Sequence, residues 1–145
     1  MVAFTPVPQF VEDVAKGVHN FGTDTLTIAL VAAANLPISA DAVLADLTEV
    51  AYTYCSSRAL TTTSADQTAG LLKVIIEDLT LTATGGAVGP FQGIVIYNDT
   101  PAVAPIDPLI GWYDLGSEVT LSDGQSFFCD FDQVNGLFDF AFVAP

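Results

Sequence analysis

Apolar positions near the start of the chain recur three and four residues apart: Phe10, Val11, Val14, Val18 and Phe21. That spacing is one face of a helix. Thr5 and Pro6 precede it, acids Glu12 and Asp13 come early and Lys16 comes late, an order that caps a helix and suits its dipole. The pattern predicts an amphipathic helix of about three turns, weakened at Gly17 and ended by residues 20–22. Beyond Gly22 the period drops to two. Leu26, Ile28 and Leu30 alternate with Thr25, Thr27 and Ala29, which predicts a strand buried on one face. Residues 32–42, with Asn35, Pro37 and Ser39, read as a loop, and residues 43–54 fit a short helix or an extended edge segment equally well.

From Ser57 onward the alternation is that of strands. A threonine-rich run covers residues 57–64; Leu72, Val74 and Ile76 form one set, and Leu79, Leu81 and Ala83 another. Gly85 and Gly86 turn the chain into residues 93–97, apolar on both sides as in a central strand. Residues 98–108 carry three prolines and two aspartates and read as a solvent loop. Residues 109–113 predict a strand, 114–117 a turn, and Val119 and Leu121 a short strand; Ser122, Asp123 and Gly124 then read as a hairpin turn. Phe127, Cys129 and Phe131 point one way, Phe128, Asp130 and Asp132 the other; after Asn135 and Gly136, Phe138, Phe140 and Phe142 alternate in their turn. The expected architecture is a single mainly-β domain over residues 1–145, an antiparallel sandwich or barrel of about seven to nine strands. One N-terminal helix within residues 1–22 packs on it or on a partner.

Charge narrows the functions. Three basic residues, Lys16, Arg58 and Lys73, face 17 acidic ones, for a net charge of -14. Nucleic-acid binding draws on Lys and Arg to displace counterions, and this chain offers almost none. The same charge repels anionic lipid, and the most apolar run, residues 25–40, is broken by Thr, Asn and Pro before it could span a bilayer. No nucleic acid and no membrane are therefore expected as partners. The N-terminus lacks the pattern of a secretory signal, which leaves the cytoplasm as the expected place of synthesis. With 51% hydrophobic and only 14% charged residues, some apolar surface is expected to meet another protein.

Candidate chemistry is sparse. The glycines of TGGAVGPFQGIVIYNDT lead into a strand and no lysine follows Lys73, so they do not form a phosphate cradle. His19 stands alone, without the partners that nucleophilic or zinc chemistry needs, and reads as a helix-end or hydrogen-bonding residue. Asp130 and Asp132 share a strand face, with Asp139 on the neighbouring strand if the two pair as a hairpin. Such a carboxylate set can serve glycoside hydrolysis, but alternate acids are more often a solvated face. DFDQVNG is out of register for an EF-hand loop, and Asn98, Asp99 and Thr100 match a glycosylation acceptor. Cys55 and Cys129 read as buried thiols or as a disulfide within or between chains. No catalytic residue, metal or cofactor is assigned.

The ordered segments VHNFGTDTLTIAL, VLADLTEVAY, GGAVGPFQGIVIYNDT and PLIGWYDLGSEVTLSDGQSFFCDFD, with NGLF near the end, resemble small structural proteins of tailed bacteriophages and prophages. GPFQGIVIYNDT and LIGWYDLGSEVTLSDG are the most specific pieces, and the cysteines lie outside the pattern. The resemblance implies a non-enzymatic, multicopy virion component, foremost a capsid decoration (cement) protein on the outside of the head. It implies the major capsid protein and copies of the chain itself as partners, a trimer being favoured. A tail or fibre module that binds a receptor or carbohydrate through Trp112, Tyr113 and residues 98–108 is the alternative. Expected contact residues are Val2, Phe4, Pro6, Pro8 and Phe10 of the N-terminal segment, together with Trp112 and Tyr113.

Overall fold

The computed structural model describes residues 2–141, with the chain running through β1 (Phe4–Pro6), α1 (Pro8–Ala15), β2 (Leu26–Val31), β3 (Ala59–Leu60), β4 (Thr62–Thr68) and β5 (Leu71–Ile76). β6 (Leu79–Thr82), β7 (Val88–Asn98), β8 (Leu109–Leu121), β9 (Ser126–Cys129) and β10 (Phe138–Ala141) complete it. Phe142, the last residue of the expected alternation, lies outside the described residues. A five-stranded antiparallel sheet in the order β1-β8-β7-β2-β3 carries the domain, beside a three-stranded sheet, β10-β5-β4, and the pair β6-β9. All three sheets contribute to one apolar core, through residues such as Ile28, Val74, Leu81, Phe91, Ile110 and Cys129. The mainly-β, sandwich-like class read from the sequence is the observed one. Among the described residues the count rises to ten strands because β1 and β3, three and two residues long, are too short to show alternation.

β7 is the central strand, as its two-sided apolar pattern requires, flanked by β8 and β2. β2 departs from expectation: every residue in it is buried, Thr27 and Ala29 included, because the sheet is covered on both faces here. Gly93 makes that packing feasible. A Cβ at this position would stand 2.6 Å from Val31 Cγ2 and 2.9 Å from Leu36 Cδ2, well inside van der Waals contact.

The N-terminus differs most from its reading. Thr5 and Pro6 do not start the helix; they form β1, in register with Trp112 and Gly111 of β8. Gly111 permits this, since a Cβ there would lie 2.6 Å from the Thr5 carbonyl oxygen. Val7 then donates its N–H to Ile110 O at 3.1 Å and serves as the cap, so Pro8 opens a helix of only eight residues that Gly17 ends at φ +72°. Phe10 turns inward, whereas Val11 is 66% exposed and contributes nothing to the buried face.

Two further departures follow from contacts distant in sequence. The turn read at residues 114–117 is absent as a chain reversal: β8 runs unbroken for 13 residues, with Gly116 at φ +76° and its N–H donated to Asp114 Oδ1 at 2.8 Å. Residues 43–54 hold a 3-10 turn at Leu44–Asp46 and then lie along the edge of β2. Val50 N donates to Leu30 O at 2.9 Å, and Tyr52 Oη accepts from Leu30 N at 2.8 Å while donating to Glu49 Oε1 at 2.6 Å. Arg58 lies 3.6 Å over the Tyr52 ring, donates to Ile28 O and faces Glu49 at 3.7 Å. Burial and the adjoining Glu49 push the Tyr52 phenol well above its ordinary range.

Candidate functional site

The seven expected contact residues separate into three groups. Pro6, Pro8 and Trp112 line one notch of about 230 Å³ together with Pro37 and Ile38, the last 65% exposed. Val2 and Tyr113 line a second, larger groove of about 330 Å³ with Leu115, Phe127 and Phe128. Alternation along β8 places Trp112 and Tyr113 on opposite faces of the sheet, so they do not form one platform. Phe4 packs on Tyr113 with ring centroids 5.2 Å apart, and burial pushes the Tyr113 phenol up to about 12. Phe10 is a core residue, 2% exposed, and is not available to a partner.

Several polar groups that looked available in the sequence are engaged inside the fold, while Asp13 Oδ2, His19 Nε2 and Thr62 Oγ1 are buried without a partner among the described residues. Asn98, read as the start of a solvent loop, is fully buried. Its Nδ2 donates to Asp24 Oδ2 at 2.6 Å and contacts His19 Nδ1 at 3.2 Å, while its Oδ1 accepts from Thr100 N at 3.1 Å. These partners fix the amide orientation, because both Nδ2 hydrogens are needed and Oδ1 must accept. With the amide in that orientation His19 Nδ1 accepts, which places the proton of a neutral imidazole on Nε2, a buried atom without a partner among the described residues. Burial lowers the His19 pKa below its ordinary value of 6.5, against the opposing pull of Asp13 and Asp24. Its ring stacks on Phe21 and tilts against Phe10. This is the hydrogen-bonding role expected of a lone histidine. Asn98 is also closed to modification as a glycosylation acceptor by its burial.

The carboxylate set does not assemble. β9 pairs with β6, and β10 pairs with β5, where Asp139 is in register with Lys73; no hairpin joins Asp130 and Asp132 to Asp139. Asp132 instead holds a turn, accepting from Val134 N at 2.9 Å, Asn135 N at 2.7 Å and Asn135 Nδ2 at 2.7 Å, and these bonds lower its pKa. DFDQVNG is thus a capped turn. No cluster of three or more metal-ligating side chains occurs among the described residues. Ser122, Asp123 and Gly124 do turn the chain, but they pass it from β8 to the separate β6-β9 pair rather than closing a hairpin.

Cys55 and Cys129 are free thiols. Cys129 is in register with Leu79, whereas Cys55 bridges to Ala83, four residues further along the chain. Burial pushes the Cys129 thiol up to about 12 and raises that of Cys55, which keeps both protonated and unreactive.

Each cation also has a partner within the chain: Lys16 with Glu12, Arg58 with Glu49, and Lys73 Nζ donating to Val134 O at 3.1 Å. What faces outward is an acidic surface bearing exposed apolar side chains, among them Ile38, Val103, Ile106 and Phe128. No helix among the described residues is long and apolar enough to cross a membrane. Comparison with protein-family models, with curated proteins and with solved structures finds no match to this chain.

Proposed function

We propose that the chain acts by binding rather than by catalysis, as a multicopy structural component of a phage particle that decorates the outside of the head. The observation that carries this reading is the contrast between its polar and apolar groups. His19, Asn98, Asp132 and Arg58 are held by fixed partners within the fold, while a notch of proline and tryptophan stands open on an acidic surface. Surface acidity suits the outer side of a shell better than its DNA-facing side, and favours docking onto a basic subunit junction. The two most specific segments of the phage resemblance coincide with β7 and β8, the long central pair of the main sheet.

The N-terminal anchor takes a definite form. Pro6, Pro8 and Trp112, with Ile38 beside them, are the contact set; Phe10 serves the core instead. Deleting residues 1–8 would also remove β1, so point substitutions are the cleaner test. Trp112→Ala combined with Ile38→Asp should weaken binding of the purified protein to assembled heads by about 30-fold or more, the effect of losing an aromatic anchor. Circular dichroism should be unchanged. Head occupancy equal to that of the wild type would remove the notch from the proposal. Binding of the isolated protein to glycan or host surface, with no binding to heads, would favour a receptor-binding tail module.

A further inference from the structure

We propose that two copies of the chain associate through the free edge of β4, adding one β4 to the other across a twofold axis. Exposed edge strands pair readily with other chains, and folds usually shorten, cover or charge them. Most edges here are guarded. β1 has three residues and ends in Pro6, and β3 has two. The far half of β2 is closed by Val50 N and Tyr52 Oη, and β6 by Ser56, whose N–H donates to Thr82 O at 3.0 Å and whose Oγ accepts from Thr82 N at 2.9 Å.

β4 carries fewer guards, a single acid at Asp66 and a register shift between Thr62 and Ser64. It is seven residues long, its sequence TTSADQT contains no proline and no lysine, and Thr63, Asp66, Gln67 and Thr68 are exposed. On the side away from β5, no described residue hydrogen-bonds to its backbone. Thr62 Oγ1 is buried along the same strand without a partner. A groove of about 220 Å³ runs beside Thr62–Asp66, walled on the other side by the turn at Phe21 and Gly22.

Charge selects the occupant. Between Val50 and Ile76 lie two cations, Arg58 and Lys73, and one acid, Asp66; the rest of the chain holds one cation and 16 acids. A second copy approaching elsewhere meets a surface of its own sign, whereas at β4 two nearly neutral hairpins come together without that repulsion. A basic partner, drawn to the acidic remainder, is least attracted here. The same strand on a second copy supplies what the edge lacks, an equally exposed row of donors and acceptors. The proposal adds to the function above the contact by which copies meet, in twofold pairs rather than the trimer that the resemblance favours, and depends on that reading only in expecting them to meet.

Sedimentation equilibrium of the purified chain should show a species of twice the 15.2 kDa chain mass that tightens as salt is raised. Ser64→Asp with Thr68→Asp, on the outward face of β4, should weaken the dimer by about 30-fold, with partial recovery in 1 M salt. Asp66→Asn, which removes the one acid at the contact, should tighten it, a gain that loss of folding cannot produce. A monomer at all concentrations overturns the proposal, as does a dimer indifferent to the acidic pair. Should that double variant fail to fold, a dimer that Asp66→Asn fails to tighten overturns it equally. Head binding by a chain that stays monomeric would leave the proposed function standing and remove only this contact.

Discussion

Phe10→Ala is expected to cost about 3–5 kcal/mol, the range for emptying a buried aromatic site. Phe10 joins α1 to both sides of the core. Its ring centroid lies 5.3 Å from His19, 6.1 Å from Phe21, 5.1 Å from Phe138 and 6.0 Å from Phe140, so truncation removes the partner of four rings at once. A domain of this size has about 5–15 kcal/mol in total, and the thermal midpoint should drop by roughly 10–15 °C. Val11→Ala, one position along and exposed, should stay within about 0.5 kcal/mol. Urea denaturation of the two variants side by side checks the assignment. Equal, small effects would mean that Phe10 lies on the surface, as the contact reading of the sequence had it.

Asn98→Asp should be nearly as damaging at pH 7, at about 3–5 kcal/mol, and its damage should depend on pH. The Asn98 amide donates to Asp24 Oδ2 at 2.6 Å in a fully buried position, and a carboxylate there would set two negative charges in contact. Acid relieves this, because a protonated carboxyl regains a donor for Asp24; the variant's stability should rise as pH falls from 7 towards 5. The wild type should move the other way. Its folded state keeps His19 neutral and lowers its pKa, so the unfolded chain binds more protons below 6.5. The His19 contribution is complete above 6.5 and is lost as pH falls from there towards the lowered folded value. His19→Gln, which retains an acceptor for Asn98 without titrating, should flatten that step. Denaturation midpoints between pH 5 and 8 distinguish the three chains, and parallel profiles would show that the Asn98 network does not govern His19.

Strand periodicity made the sheet interior legible in the sequence. β2, β5 and β7 each alternate or run apolar over enough residues to declare themselves, and the two-sided character of residues 93–97 matches the central place of β7. What escaped was set by partners far away in the chain. Thr5 and Pro6 carry a helix-start signal, yet pairing with Trp112 and Gly111 outweighs it. Asp114 and Gly116 carry a turn signal, yet they form a bulge in β8 rather than a reversal: the pairing of Gly93 with Asp114 and of Phe91 with Val119 sets five steps of β8 against two of β7, and Gln92 Nε2 donates to Asp114 Oδ1 at 2.8 Å. Asp130, Asp132 and Asp139 look like one face only if neighbours in sequence are neighbours in space, and the pairings of β9 and β10 break that premise.

The candidate site was legible in part for the same reason. Of the expected contact residues, Pro6, Pro8 and Trp112 do lie together, but Ile38 joins them from a loop that gave no signal in the sequence. Asn98 was hidden in a stretch of turn-forming residues. Nothing local distinguishes a buried asparagine from a loop one; its burial comes from Asp24 and His19, more than 70 residues earlier in the chain.

The claim that this domain is a head-decorating structural protein is tested most directly by separating heads from tails of the particle that carries it and quantifying the chain in each by mass spectrometry. Recovery with the heads, in many copies relative to the major capsid protein, is the predicted result. Recovery with the tails alone, or absence from both fractions, would contradict it.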